Sequence, residues 1–348
     1  MHDPHPGPLA FGTSGPAGNS TAVHTEDVLA MPVVAGEKPA HERFPGADNT
    51  YSIEAMMQDG KALQAGTAHY LGTNFAEAQS IRYQTEAGDL AFAHTTSWGV
   101  STRLVGGVVM THGDDDGLRL PPIVAPRQIV LIPMLRDKPE DAGVLEFCAT
   151  LAAELNRAQA FGEPVRALVD RKSGRAIDKR WAWIKRGVPV ICDIGARDVG
   201  SGNVTYIRRD QLRNGEKIQS QAMLRQHFVE QISALLGSIQ TELHESAKQR
   251  LAANIRSDIT SFEALAAHFK SATDALSEDD MGNVEFRGWA KVAWARPQGA
   301  ALTKVAQQLK SLKLTVRNVP LQQEPITDQR CVFSGEPARE FVLVGRSY

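Results

Sequence analysis

The sequence has few cysteines, few aromatic residues and no long apolar segment. Its three cysteines, Cys148, Cys192 and Cys331, are odd in number and widely spaced, which excludes a disulfide framework. Such a set is typical of a reducing compartment, so we predict a soluble, cytoplasmic protein. No run of apolar residues approaches the roughly 18 that a transmembrane helix needs. The first residues have neither a basic region nor an apolar core, so no signal peptide is expected.

The sequence also lacks a strong charge of either sign. The formal net charge is −2, which indicates no particular class of partner. What is present is ordinary globular composition, with 42% hydrophobic and 22% charged residues in a chain of 348 residues. A chain of this length suggests two or three domains.

One region departs from the neutral balance. Residues 166–225 carry fourteen Lys and Arg against six Asp and Glu, a local net charge of +8. Basic side chains neutralise phosphates, and the nearby Trp181 and Trp183 offer planes on which unpaired bases can stack. A solvated charged surface explains any single residue as well. The region as a whole is where we expect a polyanion.

Local apolar patterns predict the elements of the central region. Compact apolar runs predict strands at 128–134, 188–194 and 204–207. One helical face is predicted for Val144, Leu145, Cys148, Leu151, Ala152 and Leu155. A long helix over 222–256 is predicted to bury Phe228, Ile232, Leu235, Ile239 and Leu243. Strands that alternate with helices favour a sheet covered by helices.

Three motifs in the first third of the chain stand out. They are Gln64-Ala-Gly-Thr-Ala-His69, Ser97-Trp-Gly-Val-Ser-Thr-Arg103 and His112-Gly-Asp-Asp-Asp-Gly-Leu-Arg-Leu-Pro-Pro122. In this order and spacing they resemble the second half of the catalytic domain of prolyl-tRNA synthetases of the eukaryote/archaeon-like type, which are class II aminoacyl-tRNA synthetases. The resemblance continues through Gly187-Val-Pro189 and Gly195-Ala-Arg-Asp198, which resemble the family's anticodon-binding domain, to Tyr348. It covers about residues 26–348.

The resemblance implies the activity of a proline–tRNA ligase. ATP with Mg²⁺ would activate L-proline to prolyl-adenylate, and tRNA(Pro) would then accept the prolyl group. This chemistry needs positioning and charge stabilisation at the α-phosphate rather than a covalent nucleophile. The full-length family is implied to form a homodimer, with no membrane partner. The alternative is a non-catalytic tRNA-binding paralogue or regulatory fragment. The basic region disfavours a small-molecule-binding protein unrelated to RNA.

The resemblance assigns residues to the nucleotide and proline sites. Arg103 matches the motif 3 arginine, which lies over the adenine and meets the γ-phosphate, so it is the predicted catalytic residue; a surface salt bridge is the simpler alternative. Gln64, Thr67 and Ser101 match contacts of ATP, and Gln64 is also a candidate contact of a phosphate-bound Mg²⁺. For residues of these types in a Gly-rich segment, local turn hydrogen bonds are the ordinary explanation.

The predicted proline-binding residues are His69, Trp98 and Gly99. His69 matches a histidine of the proline pocket and would otherwise be a structural histidine. For Trp98, a position in the wall of the site and burial in the core as a structural residue are equally compatible with the sequence. Gly99 lets the backbone approach the ligand. For tRNA, the predicted contacts are Lys185, Arg186, Arg197 and Arg208.

The implied fold class is α/β and α+β multidomain. It combines a class II antiparallel-sheet catalytic remnant, an α/β anticodon-binding domain and a small α+β C-terminal domain. The predicted segments are 1–25 (disordered or unrelated), 26–122 (catalytic part), 123–225 (anticodon-binding), 226–272 (helical connector) and 273–348 (C-terminal domain).

The sequence departs from the family in two places. Motifs 1 and 2 are not found among the 63 residues before Gln64, so the chain resembles one truncated within its catalytic domain, as a gene fragment, a mispredicted start or a paralogue. Of the four cysteines that relatives often use for zinc, only Cys331 remains, so no zinc is expected. His112 with the acidic residues 114–116 fits no metal template and predicts an acidic turn.

Overall fold

The structure is a computed structural model that describes residues 22, 24–270 and 288–348. Two compact units divide the chain. The first comprises Met1–Glu26, Met31–Gly107 and Lys248–Tyr348, and the second comprises Asp27–Ala30 and Val108–Ala247. Each unit contains a sheet of its own.

The elements of the described residues are numbered in chain order. The α-helices are α1 (Asn74–Gln79), α2 (Arg103–His112), α3 (Asp141–Leu155), α4 (Ala176–Lys185), α5 (Ala196–Ser201), α6 (Arg225–Ala253), α7 (Phe262–Lys270) and α8 (Gly299–Ser311). Strands of the first half are β1 (Val33–Glu37), β2 (Asn49–Met56), β3 (Ala62–Gly72), β4 (Arg82–Gln84), β5 (Leu90–Phe92), β6 (Thr95–Val100), β7 (Ile129–Pro133), β8 (Gln159–Ala160), β9 (Glu163–Pro164) and β10 (Ala167–Val169). The later strands are β11 (Val190–Ile194), β12 (Asn203–Arg208), β13 (Arg213–Asn214), β14 (Lys217–Ile218), β15 (Gln221–Leu224), β16 (Ile255–Arg256), β17 (Trp289–Trp294), β18 (Thr315–Pro320) and β19 (Glu340–Gly345).

The first unit is built on an eight-stranded sheet in the order β16-β17-β19-β18-β1-β2-β3-β6. Its neighbouring strands are antiparallel except for the parallel pair β16 and β17. The junction of β1 with β18 needs a glycine. A Cβ atom at Gly36 would overlap the carbonyl oxygen of Val319 and the side chain of Asn318, so only glycine allows this approach.

Apolar helical faces cover the C-terminal part of this sheet. In α8, Leu302, Val305 and Leu309 recur at three- and four-residue spacing and are buried. They pack in one cluster with Leu265 and Phe269 of α7 and with valines of the strands. The strand residues of this cluster are Ala290, Val292, Trp294, Val316, Val319, Val342 and Val344.

The second unit contains a five-stranded sheet in the order β10-β7-β11-β12-β15. Strands β10, β7 and β11 are parallel, and β12 and β15 are antiparallel to their neighbours. Residues of α3 and α6 pack on one face of the sheet, and Ile184 of α4 packs on the other. Strand β7 is buried along its whole length, as a strand with helices on both faces must be.

The predicted fold class is confirmed, since a large antiparallel sheet and an α/β unit are both present. The structure divides the chain differently from the five predicted segments. Because β18 pairs with β1, the described parts of 26–122 and 273–348 share one sheet. The break at 273 and nearly all of segment 1–25 lie outside the described residues. Within the residues that are described, no helix combines the length and apolar character needed to cross a membrane.

Candidate functional site

Strands β3 and β6 bring the first two motifs side by side. Thr67 lies opposite Gly99 and His69 lies opposite Ser97 in an antiparallel ladder. Directly opposed residues of such a ladder point to the same face of the sheet. Thr67 and His69 therefore share a face with Gly99. A Cβ atom at Gly99 would lie 4.0 Å from Thr67 Oγ1, so the glycine leaves the space beside this hydroxyl open.

A β-bulge adds Gln64 to the same face. Residues three apart in a regular strand point to opposite faces, which would separate Gln64 from Thr67. Here the register shifts by one residue at Ala65, so that Gln64 lies opposite Glu54 while Thr67 lies opposite Ser52. Because Ser52 and Glu54 are two residues apart on β2, Gln64 and Thr67 point the same way.

Arg103 begins helix α2 directly after β6. Its backbone N–H donates a hydrogen bond to Ser101 Oγ at 3.3 Å, which fixes the turn between strand and helix. Both side chains are exposed. Among the residues that the structure describes, Arg103 has no ion-pair partner. Its guanidinium is thus available to an anionic ligand.

His69 is held by two residues from the preceding loop and strand. Its Nδ1 atom shares a hydrogen bond of 3.0 Å with Thr50 Oγ1, which also accepts a bond of 3.1 Å from the backbone N–H of Phe44. The ring of Phe44 lies 4.9 Å from that of His69, measured between centroids. Burial lowers the pKa of His69, so its imidazole is neutral at pH 7.

Phe44 is a candidate site residue that the sequence analysis missed. It lies in the loop before β2, where no periodic pattern marks it, and its side chain remains 46% exposed. The one feature of the sequence that could have indicated Phe44 is an isolated aromatic residue in a polar loop.

Trp98 is not brought together with the other predicted site residues. It lies opposite Ala68, so it points to the other face of the sheet from Thr67 and His69. Its side chain is 53% exposed, so it is not a core tryptophan either.

The four predicted tRNA contacts lie at three separate places in the second unit. Lys185 and Arg186 are exposed at the end of α4, where the Arg186 guanidinium lies 4.7 Å from the ring centroid of Trp183. Arg197 is exposed at the start of α5, beyond the far end of β11. Strand β11 lies between the end of α4 and the start of α5, and its length separates these two places by roughly 16 Å.

Arg208 differs from the other three because its charge is already paired. Its side chain is only 10% exposed and lies 2.6 Å from Asp210 and 3.0 Å from Glu242. The structure therefore gives Arg208 a structural ion pair in place of the predicted accessible cation. The sequence could not show this, because Glu242 is contributed by the distant helix α6.

Arg197 lines a cavity of about 620 Å³ at the carboxyl ends of β7 and β11. Arg180 and Asp193 form an ion pair of 2.6 Å there, and burial raises the pKa of the Asp193 carboxyl. Within the described residues, Arg180 Nε and Asp193 Oδ1 are buried without hydrogen-bond partners. Such atoms can bind a ligand that offers both donors and acceptors. The sequence analysis did not identify this site. The pattern that could have indicated it is the pair of adjacent parallel strands, since ligands commonly bind at the carboxyl ends of such strands.

The segment after His112 is a turn stabilised by arginines. Asp114 pairs with Arg209, and Asp116 binds Arg213 at 2.7 and 2.8 Å. Hydrogen bonds from Arg213 hold the pKa of Asp116 below its usual range. No group of three His, Cys, Asp or Glu side chains that could hold a metal ion is found in the described part of the chain.

Comparisons with known proteins cover both units. Residues 128–235 match the family described as "Anticodon binding domain". The chain is 56% identical over 93% of its length to a protein of Sphingopyxis alaskensis named "Proline--tRNA ligase" and covers 59% of that protein. A protein of the same name from Paramagnetospirillum magneticum is 44% identical over 94% of the chain, which covers 61% of it.

Over nearly its whole length, this chain is similar in sequence to proteins named as proline–tRNA ligases.

A solved structure agrees with this similarity. The prolyl-tRNA synthetase of Cryptosporidium parvum, crystallised with halofuginone and AMPPNP, has a TM-score of 0.81 and 29% identity to the chain. The match covers 95% of the chain and 62% of that synthetase. The chain spans about 60% of the length of the proline–tRNA ligases that it matches.

Proposed function

We propose that this chain contributes the nucleotide- and proline-binding strands and the tRNA-binding unit of a cytoplasmic proline–tRNA ligase, which joins L-proline to tRNA(Pro) with the use of ATP. The observation that carries the proposal is the common face of Gln64, Thr67 and His69, with Arg103 directly after the neighbouring strand. This arrangement occurs in a chain that is 56% identical to a protein named as such a ligase.

The polar face of β3 and β6 fits a nucleotide next to a small amino acid. Arg103 supplies a permanent positive charge for the phosphates, and its planar guanidinium can stack on the adenine. Gln64 and Thr67 supply hydrogen-bonding groups on the same face, and Mg²⁺ would enter as part of the ATP substrate.

His69 and Phe44 fit the apolar ring of proline. The aromatic ring offers an apolar wall, and the neutral imidazole adds one polar group without a second positive charge. Trp98 stays outside this pocket because of its position on the other face.

The reaction proceeds in two displacements. A carboxylate oxygen of proline attacks the α-phosphorus of ATP, and pyrophosphate leaves with the electrons of the broken P–O bond. A ribose hydroxyl of tRNA then attacks the carbonyl carbon of prolyl-adenylate, and AMP leaves. The residues of this chain contribute by orienting both substrates and by stabilising charge on the phosphates.

The second unit provides the tRNA-binding surface in this proposal. Its support is the match to the anticodon-binding family together with the exposed cations Lys185, Arg186 and Arg197. The cavity beside Arg197 offers an unpaired base both donors and acceptors, which suits an anticodon loop. A homodimer is proposed for the complete ligase, by analogy with its family.

A non-catalytic tRNA-binding protein is the second candidate. It is favoured by one observation, namely that no motif 1 or motif 2 is found before Gln64 in a chain that spans about 60% of its relatives. This candidate keeps the function of the second unit and omits the chemistry of the first.

The 348-residue chain by itself tests what the two candidates have in common. We expect it to bind tRNA(Pro) in preference to a tRNA for another amino acid, and to catalyse no proline-dependent exchange between ATP and pyrophosphate. Absence of any tRNA preference would contradict both candidates. Robust exchange by this chain would show that the functions of motifs 1 and 2 are present in residues that we did not identify.

A further inference from the structure

The loop that carries Phe44 is fastened at both of its ends by one arginine. Arg43 Nη1 donates a hydrogen bond of 2.6 Å to the carbonyl oxygen of Asp48, and Arg43 Nε donates one of 3.4 Å to that of Lys38. The next residue, Phe44, contacts His69. The orientation of Arg43 therefore determines where residues 38–49, hereafter the Phe44 loop, hold their aromatic ring.

Arg43 is in turn connected to strands near the C-terminus. Glu37 uses one carboxylate oxygen for Arg43 Nη2, at 2.9 Å, and the other for Arg296 Nη2, at 3.1 Å. Arg296 follows β17 and also binds Glu340 of β19 through two hydrogen bonds of 2.7 and 3.0 Å. These four charged groups form a continuous series of ion pairs, hereafter the ion chain, from β19 to the Phe44 loop.

The geometry of the ion chain differs from that of an ordinary surface ion pair. Single exposed pairs contribute little, whereas networks with two-pronged arginine–carboxylate bonds hold their geometry. Glu37 and Glu340 are only 19% and 14% exposed, so solvent screens their bonds less than those of a fully exposed pair. A second connection lies beside it, since Lys38 at the start of the loop binds the buried Glu54, which also binds Arg317 of β18.

We infer that the C-terminal strands act as a positioning element for the amino-acid side of the site, because the ion chain Glu340–Arg296–Glu37–Arg43 sets the Phe44 loop against His69. Arg296 is a positioning residue in this scheme and touches no substrate. The significance for proline rests on the proposed function, but the placement of Phe44 does not.

The test compares Arg296→Gln with a matched control, Arg256→Gln, in the full 348-residue chain. Arg256 also makes two hydrogen bonds to a carboxylate, at 2.8 and 2.6 Å to Asp258, and is similarly exposed, but it has no connection to the loop. Hydrogen exchange of peptides from the Phe44 loop is expected to become about fivefold faster in Arg296→Gln and to stay unchanged in Arg256→Gln.

A spectroscopic measurement reports the contact itself. The ring current of Phe44 shifts the NMR signals of the His69 imidazole, and Phe44→Ala provides the value without that contribution. We expect the His69 signals in Arg296→Gln to lie more than halfway from the wild-type value to the Phe44→Ala value. In Arg296→Lys, which keeps the charge, these signals should return most of the way to the wild-type value.

Two results would overturn the inference. One is an Arg296→Gln variant in which loop exchange and the His69 signals both remain as in the wild type. The other is faster exchange across the whole first unit, including α8, which would mean general destabilisation rather than release of one loop. Neither measurement depends on catalysis, so failure of the proposed ligase activity would be seen separately.

Discussion

The carboxylate of Glu54 and the guanidinium of Arg317 form a fully buried ion pair, with Arg317 Nη2 at 2.8 Å and Nε at 3.2 Å from Glu54 Oε2. Glu54 is wholly inaccessible to solvent. Glu54 lies opposite Gln64 at the bulge, so the pair joins the C-terminal strand β18 to β2, which is the neighbour of the strand that carries Gln64 and Thr67.

Breaking this pair on one side is expected to destabilise the protein strongly. Arg317→Met leaves the buried carboxylate with Lys38 alone, and removal of one partner from a buried pair typically costs about 3–5 kcal/mol. Urea unfolding should show a loss in that range. Loss of the exposed arginine in Arg256→Met should cost far less, because solvent screens its ion pair with Asp258. Equal losses for the two variants would contradict the structural role of the Glu54 cluster.

The pKa of His69 is expected to depend on Phe44. Burial holds this pKa below the ordinary value of about 6.5, so below that pH the native state binds fewer protons than the unfolded chain. The contribution of His69 to stability is therefore complete above about pH 6.5 and is lost as the pH falls towards the folded-state pKa.

Phe44→Ala should raise the pKa of His69 towards its ordinary value, because the imidazole becomes better hydrated. An NMR titration of the imidazole signals measures this directly. Phe161→Ala removes a phenylalanine of comparable exposure from the second unit and should leave the titration unchanged. An unchanged pKa in Phe44→Ala would mean that Phe44 does not shield His69.

Two exposed arginines of the basic region, Arg186 and Arg197, are expected to contact RNA independently of each other. Arg186→Glu and Arg197→Glu should each weaken tRNA binding, and the double variant should weaken it most. Each lost phosphate contact lowers the slope of log affinity against log salt by about 1. Binding titrations at several salt concentrations measure the slope, with Arg256→Glu as the control. An unchanged affinity and slope in the double variant would show that these cations form only a solvated surface.

Purified protein is expected to contain well under one zinc per chain. Cys331 is the one cysteine in the C-terminal region and is buried, and a single thiolate cannot complete a tetrahedral zinc site. Metal analysis by mass spectrometry tests this, with Cys331→Ser alongside. Stoichiometric zinc that disappears in Cys331→Ser would contradict the prediction.

Local patterns in the sequence predicted the elements of the second unit well. The predicted strand 128–134 corresponds to Ile129–Pro133, and the long predicted helix corresponds to Arg225–Ala253. The buried face of that helix is shifted at one position, since Leu236 is buried where Leu235 was predicted, and Leu235 only packs at the edge. Two adjacent leucines both fit a helical period, and only packing decides between them.

Relationships between distant segments could not be predicted in this way. The pairing of β1 with β18, the contact of Phe44 with His69 and the pairing of Arg208 with Glu242 each join residues that share no local period. The bulge at Ala65 is likewise visible only from the register with β2, although it decides that Gln64 and Thr67 share a face. The motifs predicted the candidate site residues, and the register of the sheet decides which of these residues share a face.

The most direct test of the proposed ligase is amino-acid-dependent exchange between ATP and pyrophosphate in a chimera. The chimera joins this chain to the part of the Sphingopyxis alaskensis proline–tRNA ligase that lies outside the matched region. We predict that proline alone among the common amino acids supports exchange, and that Arg103→Ala reduces the rate about 10²–10³-fold while Arg256→Ala does not. A folded chimera that shows no proline-dependent exchange, or one that is insensitive to Arg103→Ala, would contradict the account.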